Sequence, residues 1–272
     1  MMFLRHLLPL SALVLAAADP NKQIPLGGKD VSLCEHPDYK VHIVSRSPLV
    51  MYIENFITGE ERAHLREITK DTFAHSEVTS SAGAGNALHR VRTSQSTRVD
   101  SGDPVVRCIE DRALAFQGFD VSRDHLEPLQ LVKYAPGEHY HYHTDWFTDV
   151  PRHANAALGG NRISSFFAYI TAPGNNTKDE DRITGGGTNF PLLRAPHDPR
   201  WCQWIDCDEE WEEGVSFRPV EGNAVYWENL LENGMGDQRV LHAGLPVITG
   251  SKIGMNIWTR QGPLDQGIRG SV

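Results

Sequence analysis

The stretch LQLVKYAPGEHYHYHTDWF, residues 129–147, decides the fold. LQLVKY is apolar, β-branched and aromatic, at the length of a strand. Pro136-Gly137 is a turn signal. HYHYHTDWF then resumes a strand-like pattern, and its second half carries His143 and Asp145 two residues apart. Residues two apart share one face of a strand. The pair is therefore placed to hold one metal ion together, provided the strand extends to Asp145. His139 and His141 fall on the same face, so a zinc cluster of histidines is the competing reading.

The same grammar continues to the C-terminal end. ISSFFAYIT, TNFPLL, VSFRPV, NAVYWENL, GLPVIT and KIGMNIWTR are short β-rich runs. Gly185-Gly186-Gly187 and Glu221-Gly222-Asn223 are among the turns that separate them. Upstream, PLVMYIENF (48–56) reads as a strand. Thr58 and Glu61 form a capping box for a helix running to about Phe73, with Leu65 and Ile68 on its inner face. Asp103-Pro104 opens a second helix that stops at Gly118. Its stripe of Val106, Ile109, Ala113 and Phe116 is core. TSSAGAGNA (79–87) reads as a mobile loop, a candidate lid. Two helices followed by many short strands predict a mainly β fold with buttressing helices, a double-sheet jelly roll. No internal repeat stands out.

The bulk properties narrow the function. The chain has 272 residues and a formal net charge of −9, enough for one sizeable core. Net acidity without a Lys/Arg cluster argues against a nucleic-acid partner. Residues 1–18 end in Ala16-Ala17-Ala18 after an apolar run, a signal peptide or a short uncleaved anchor. No other segment is apolar enough to span a membrane. Asn175-Asn176-Thr177 is a glycosylation sequon. Cys34, Cys108, Cys202 and Cys207 are an even set, and Cys202 and Cys207 are close enough for a small loop disulfide. Four free thiols are the alternative. These features place the chain in the secretory pathway, in the endoplasmic reticulum lumen or outside the cell.

Two further residues give His143 and Asp145 their meaning. His242 lies in VLHAGLPV, and Lys252 follows in GSKIGMNIW. Two imidazoles and one carboxylate are the ligand set that holds non-haem Fe(II) on one face and leaves the other open. A lysine beyond the second histidine suggests a cationic anchor for an acidic co-substrate. A closed structural zinc site has no use for it, and no cysteine ligand lies nearby.

The flanking blocks carry a resemblance. RTS (92–94), LVKYAPGEHYHYHTDWF (131–147), RISSFFAYI (162–170), GGGTNFP (185–191) and VLHAGLPVITGSKIGMNIWTR (240–260) resemble the prolyl 4-hydroxylase alpha-subunit-like branch of the Fe(II)/2-oxoglutarate-dependent dioxygenases. The stretch 201–230 looks most like fungal members. The resemblance covers roughly residues 50–260 and implies a double-stranded β-helix core. It implies His143, Asp145 and His242 as iron ligands and Lys252 as partner of the far carboxylate of 2-oxoglutarate. It places Tyr134, Tyr140, Tyr169, Thr188 and Trp258 in the co-substrate pocket, and a substrate-facing basic group at Arg162. Dioxygen is the oxidant, and ascorbate is the accessory the family implies. The implied domain spans 48–262, after a lead-in at 19–47 and before a tail at 263–272.

Three positions depart from the family pattern. Leu245 stands for a common cysteine, Ile257 for a frequent lysine, and Arg260 for a frequent histidine. They are expected at the active-site mouth, with Arg260 facing substrate. The implied reaction is hydroxylation of peptidyl proline, releasing succinate and carbon dioxide. The same chemistry on a small molecule or nonribosomal-peptide intermediate is the alternative that these departures motivate. A catalytically silent secreted binding module is the alternative of another class. The sequence leaves the oligomeric state open.

Overall fold

The computed structural model describes residues 34–76, 92–118, 120–173, 182–196, 198–208 and 213–269. The chain divides into two units, Met1–Cys34 and Glu35–Val272, and the architecture below belongs to the second. The expected signal segment, the sequon and the candidate lid at 79–87 lie outside the described residues.

A large antiparallel sheet forms one layer. Its strands are β1 (Lys40–Arg46), β2 (Leu49–Glu54), β3 (Ala74–His75), β4 (Gln95–Arg98), β5 (Gln130–Tyr134), β7 (Arg162–Thr171), β11 (Ala224–Glu228) and β14 (Lys252–Arg260). They run in the order β1-β2-β11-β7-β14-β5-β4-β3. A smaller sheet has the order β10-β9-β12-β6, from Val215–Phe217, Thr188–Phe190, His242–Gly244 and Tyr140–His143. Thr184–Gly185 (β8) pairs with Val247–Thr249 (β13) as a two-stranded ribbon. The fold is mainly β with buttressing helices, as the sequence pattern requires.

Side-chain alternation divides the core in two. Phe166, Ala168 and Ile170 of β7, with Met255 and Ile257 of β14, pack toward the helices. Phe167 and Tyr169 point the other way and pack with Phe190, Phe217 and Trp227. Burying both faces of a strand favours continuous apolar runs such as FFAYI.

The helices cover the first face. Helix α1 (Gly59–Thr69) has the expected capping box: the Glu61 amide donates to Thr58 Oγ1, and the Thr58 amide donates to the Glu61 carboxylate. Helix α2 (Pro104–Gln117) starts at Asp103, whose carboxylate caps Val105 and Val106. Val106, Ile109 and Ala113 are fully buried, and Phe116 packs against them. Arg112 of α2 makes a bidentate pair with Glu61 at 2.6 and 2.9 Å, so the capping glutamate also locks the two helices together.

Two expectations need correction here. Helix α1 ends at Thr69, not Phe73: the Thr72 amide donates to the Thr69 carbonyl in a tighter turn, and β3 begins at Ala74. Its inner line is Glu61, Leu65 and Thr69, spaced by four, which leaves Ile68 exposed. The sheet also begins at Lys40, inside the segment read as a lead-in, because β1 alternates weakly and carries polar residues along an edge. At the other end, Arg269 of the short helix Gln266–Arg269 is buried and donates to Glu110 at 2.6 Å.

Candidate active site

His143 and His242 meet across the small sheet. His143 is the last residue of β6, His242 the first of β12, and the two are paired in the ladder. Gly244 pairs with Tyr140, so β6 carries one more residue than β12 between the two pairs. That bulge rotates the strand locally. Tyr140 and His143 stack with ring centroids 3.6 Å apart, while His141 is exposed. Strand alternation therefore does not govern this run. Nor does β6 reach Asp145, which lies beyond its last residue.

Asp145 is placed instead by the large sheet. Its Oδ2 accepts from Ser165 Oγ of β7 at 2.7 Å and from Trp258 Nε1 of β14 at 2.9 Å. The Arg162 guanidinium donates to the Asp145 backbone carbonyl. The other oxygen, Oδ1, lies 3.7 Å from His143 Nε2 and 3.8 Å from His242 Nε2. Both imidazoles are oriented from behind. Nδ1 of His143 faces the His141 carbonyl at 2.8 Å, and Nδ1 of His242 faces the Val240 carbonyl at 2.9 Å. A carbonyl only accepts, so each Nδ1 carries a proton, which leaves Nε2 as the atom each ring can offer to a metal.

Three potential ligand atoms thus converge. Burial and the neighbouring His242 hold His143 well below the usual imidazole range. Burial opposes ionisation of Asp145, but the two histidines and Arg162 hold its carboxyl below the usual range. The charge this arrangement lacks is a cation, and the N, N, O donor set suits Fe(II). Among the described residues this is the only cluster of three metal-competent side chains. The zinc cluster of histidines is not assembled, since neither His139 nor His141 joins the group.

The three residues line a cleft of about 830 Å³. Tyr134, Tyr140, Thr188, Trp258 and Arg162 also line it, as do Phe167, Trp227 and Asn256. Tyr169 stands behind the wall, its hydroxyl 2.8 Å from Thr188 Oγ1. Burial pushes the Tyr134 hydroxyl up to about 12. The Arg92 guanidinium stacks 4.6 Å over the Tyr140 ring.

Lys252 is fully buried behind this wall. Its ammonium lies 4.7 Å from the Tyr134 ring centroid and 5.6 Å from that of Phe167. Among the described residues its hydrogen-bond partner is the Gly186 carbonyl. Gly186 has φ +67°, which lets the Gly185-Gly186-Gly187 turn aim that carbonyl inward. Gly254 serves the same region: a Cβ there would lie 2.2 Å from Phe167. Burial alone lowers Lys252 to about 7.

The remaining sequence candidates resolve differently. Arg162 reaches the cleft but is tied to Glu127 by two bonds, of 2.7 and 2.8 Å, and lies 3.6 Å from the Trp258 ring centroid. Arg260 is buried, shares Glu127 at 2.7 Å, and donates to the carbonyls of His153 and Gly160. It braces a loop and does not line the cleft. Ile257 sits in the helix-side core, and Leu245 is also absent from the cleft wall. None of the three departures is at the mouth.

Sequence reasoning missed Glu127, Ser165, Asn229 and Trp227. Ser165 shares a face of β7 with Phe167 and Tyr169. A hydroxyl on an apolar face that must find a partner was the available signal.

The comparisons agree with this geometry. The family model for the 2OG-Fe(II) oxygenase superfamily matches residues 129–260. Prolyl 4-hydroxylase 2 of Arabidopsis thaliana is 32% identical over 232 residues, covering 84% of this chain and 72% of that protein. Prolyl 4-hydroxylase subunit alpha-3 of Mus musculus is 27% identical and is matched over 80% of this chain and 35% of its own length. The viral collagen prolyl hydroxylase from Paramecium Bursaria Chlorella virus-1, solved with 2OG, shares the fold. Its TM-score is 0.52 at 22% identity, over 78% of this chain and 95% of that one. The chain belongs to the 2OG-Fe(II) oxygenase superfamily, among the prolyl 4-hydroxylases, and is a 2-oxoglutarate-dependent dioxygenase.

Proposed function

We propose that the protein hydroxylates peptidyl proline, with Fe(II) held by His143 Nε2, His242 Nε2 and Asp145 Oδ1. The observation that carries this reading is the convergence of those three atoms in a cleft backed by a buried lysine that has no counter-ion among the described residues. When bound, Fe(II) with 2-oxoglutarate supplies the oxidation of an unactivated C–H by dioxygen, and 2-oxoglutarate leaves as succinate and carbon dioxide.

The chain's own residues bind, orient and exclude water. A three-residue ligand set leaves coordination positions open for the co-substrate and oxygen. Lys252 would take the far carboxylate of 2-oxoglutarate in a charge-assisted bond. Its ammonium has three hydrogens, and the Gly186 carbonyl uses one. Tyr134 keeps its proton at neutral pH and can donate beside it. Thr188 adds a hydroxyl to the wall, held by Tyr169. Phe167, Trp227 and Trp258 keep the inner end dry, where charge pairing is strongest.

The substrate reading rests on the outer cleft. It extends past Trp146 and Phe147, and on to Arg98 and His75 at the sheet edge, room for an extended peptide. Tyr140, Trp146 and Phe147 give this part of the cleft an aromatic lining. Prolyl hydroxylase relatives favour the same choice. The small-molecule alternative loses its motive, since Leu245, Ile257 and Arg260 do not line the cleft. A secretory location and ascorbate as an accessory complete the proposal. The Cys202–Cys207 disulfide supports an oxidising compartment, and none of the described cysteines is a free thiol. No described helix is long and apolar enough to cross a membrane.

The test is incubation with Fe(II), 2-oxoglutarate and a proline-rich peptide in air. The expected result is succinate in step with a one-oxygen mass gain on proline, lost in His143→Ala, Asp145→Ala and His242→Ala. Full activity in any of these variants, or faster turnover of a free small molecule, would overturn it.

A further inference from the structure

Ser165 and Asn229 are fully buried polar residues outside the ligand set. We propose that they are positioning residues, a relay that selects which oxygen of Asp145 faces the metal and ties that choice to one wall of the cleft. The proposal rests on the reading of His143, Asp145 and His242 as metal ligands.

The relay has one possible polarity. Trp227 Nε1 can only donate, and it donates to Asn229 Oδ1 at 2.9 Å. This turns the Asn229 amide so that Nδ2 faces Ser165 Oγ at 2.8 Å and donates to it. Ser165 has one proton and now spends it on Asp145 Oδ2 at 2.7 Å. Trp258 Nε1 fills a second site on the same oxygen. Oδ2 is therefore held twice, and Oδ1 is left facing the two imidazoles. Rotating the carboxylate breaks two buried bonds, so the site offers one oxygen, not a variable pair.

Asn229 also anchors the segment that follows it. Its amide donates to the Ile163 carbonyl, and its carbonyl accepts from the Asp237 amide at 2.9 Å. Leu230 bridges to Gly236 within the loop so formed. The Asp237 carbonyl accepts from Trp146 Nε1 at 3.2 Å. Gly236 lies flat on the Trp146 indole, where a Cβ would come within 2.1 Å. Trp146 lines the cleft and is the next residue after Asp145. The 229–237 segment thus holds the Asp145 carboxylate through Ser165 and the adjacent backbone through Trp146.

The test compares Ser165→Ala, Ser165→Cys, Asn229→Ala and His143→Ala with the wild type, using Co(II) alone under anaerobic conditions. Thermal melting of each variant is measured in parallel. The Co(II) dissociation constant is expected to rise about tenfold or more in Ser165→Ala, the usual cost of losing a group that orients a metal ligand. The Co(II) visible spectrum is expected to change with it. Asn229→Ala, one bond further from the carboxylate, is expected to lose affinity in the same direction but by less than Ser165→Ala. Ser165→Cys, a weaker donor, is expected to fall between Ser165→Ala and wild type. A purely structural role would lower melting without grading affinity or spectrum by donor strength. In a separate assay in air with Fe(II), peptide and 2-oxoglutarate, the share of 2-oxoglutarate consumed without hydroxylated product is expected to rise. Wild-type affinity and spectrum in folded Ser165→Ala and Asn229→Ala, with binding lost in His143→Ala, would overturn the relay alone. Unchanged binding in His143→Ala would overturn the ligand reading and the relay together.

Discussion

Strand β14 begins on one buried cation and ends on another. Among the described residues Lys252 has a single carbonyl partner and no counter-charge, and burial lowers it to about 7. Arg260 shares the carboxylate of Glu127 with Arg162 and caps two backbone carbonyls. Burial opposes ionisation of Glu127, yet the two guanidiniums hold its carboxyl below the usual range. A charge paired by the fold is scaffolding. A charge left unpaired by the fold costs stability unless a ligand completes it. One strand thus serves both purposes, and four perturbations probe the difference.

The largest effect is expected at the paired end. Glu127→Leu strands two arginines, and stranding a buried charge costs about 3–5 kcal/mol. Differential scanning calorimetry should show melting lowered by on the order of 10 °C. An unchanged melting temperature would remove Glu127 from the scaffold.

Lys252→Met should act in the opposite sense. The KM for 2-oxoglutarate should rise on the order of 100-fold, the worth of one buried bond to a charged group. Melting of the ligand-free protein should stay level or rise, because an unpaired buried charge is gone. A variant that both melts early and binds 2-oxoglutarate normally would invert the assignment.

The pH dependence follows from the same residue. Lys252 titrates near 10.5 ordinarily and near 7 when buried. Its charged form, needed for the carboxylate, is depleted as pH rises above about 7, so 2-oxoglutarate affinity should fall there. The sign for stability is opposite. Between pH 7 and 10.5 the unfolded chain holds this proton more tightly, so ligand-free stability gains with pH across that window. Below pH 7 the cost of burial is full. Lys252→Met should flatten both slopes, as titration calorimetry and melting across pH can check.

The smallest effect is expected from Arg260→Gln. Glu127 keeps Arg162, and the loss should be about 1–2 kcal/mol. The KM for 2-oxoglutarate should not move. A large KM change would return Arg260 to the active-site mouth.

The architecture was legible because local signals agreed with it. The Thr58–Glu61 box, the Asp103-Pro104 start and the alternating runs each specify a local geometry. His143, Asp145 and His242 were legible as a candidate donor set, and their ligand atoms do converge. What stayed hidden depends on partners distant in sequence. The bulge between Tyr140 and His143 exists only because β12 is one residue shorter between its pairs. Ile68 was misplaced because Thr69, one position on, completes the four-residue spacing. Arg260 was misread because Glu127 lies 133 positions away. Ser165 looked like an ordinary strand residue until Asn229 and Asp145 came to either side of it.

The most direct measurement is an anaerobic titration of 2-oxoglutarate into the Fe(II)-loaded protein, comparing Lys252→Met and Arg260→Gln with wild type. The expected result is binding weakened on the order of 100-fold in Lys252→Met and unchanged in Arg260→Gln. Equal binding in Lys252→Met and wild type would contradict the view that β14 keeps one cation free for the co-substrate.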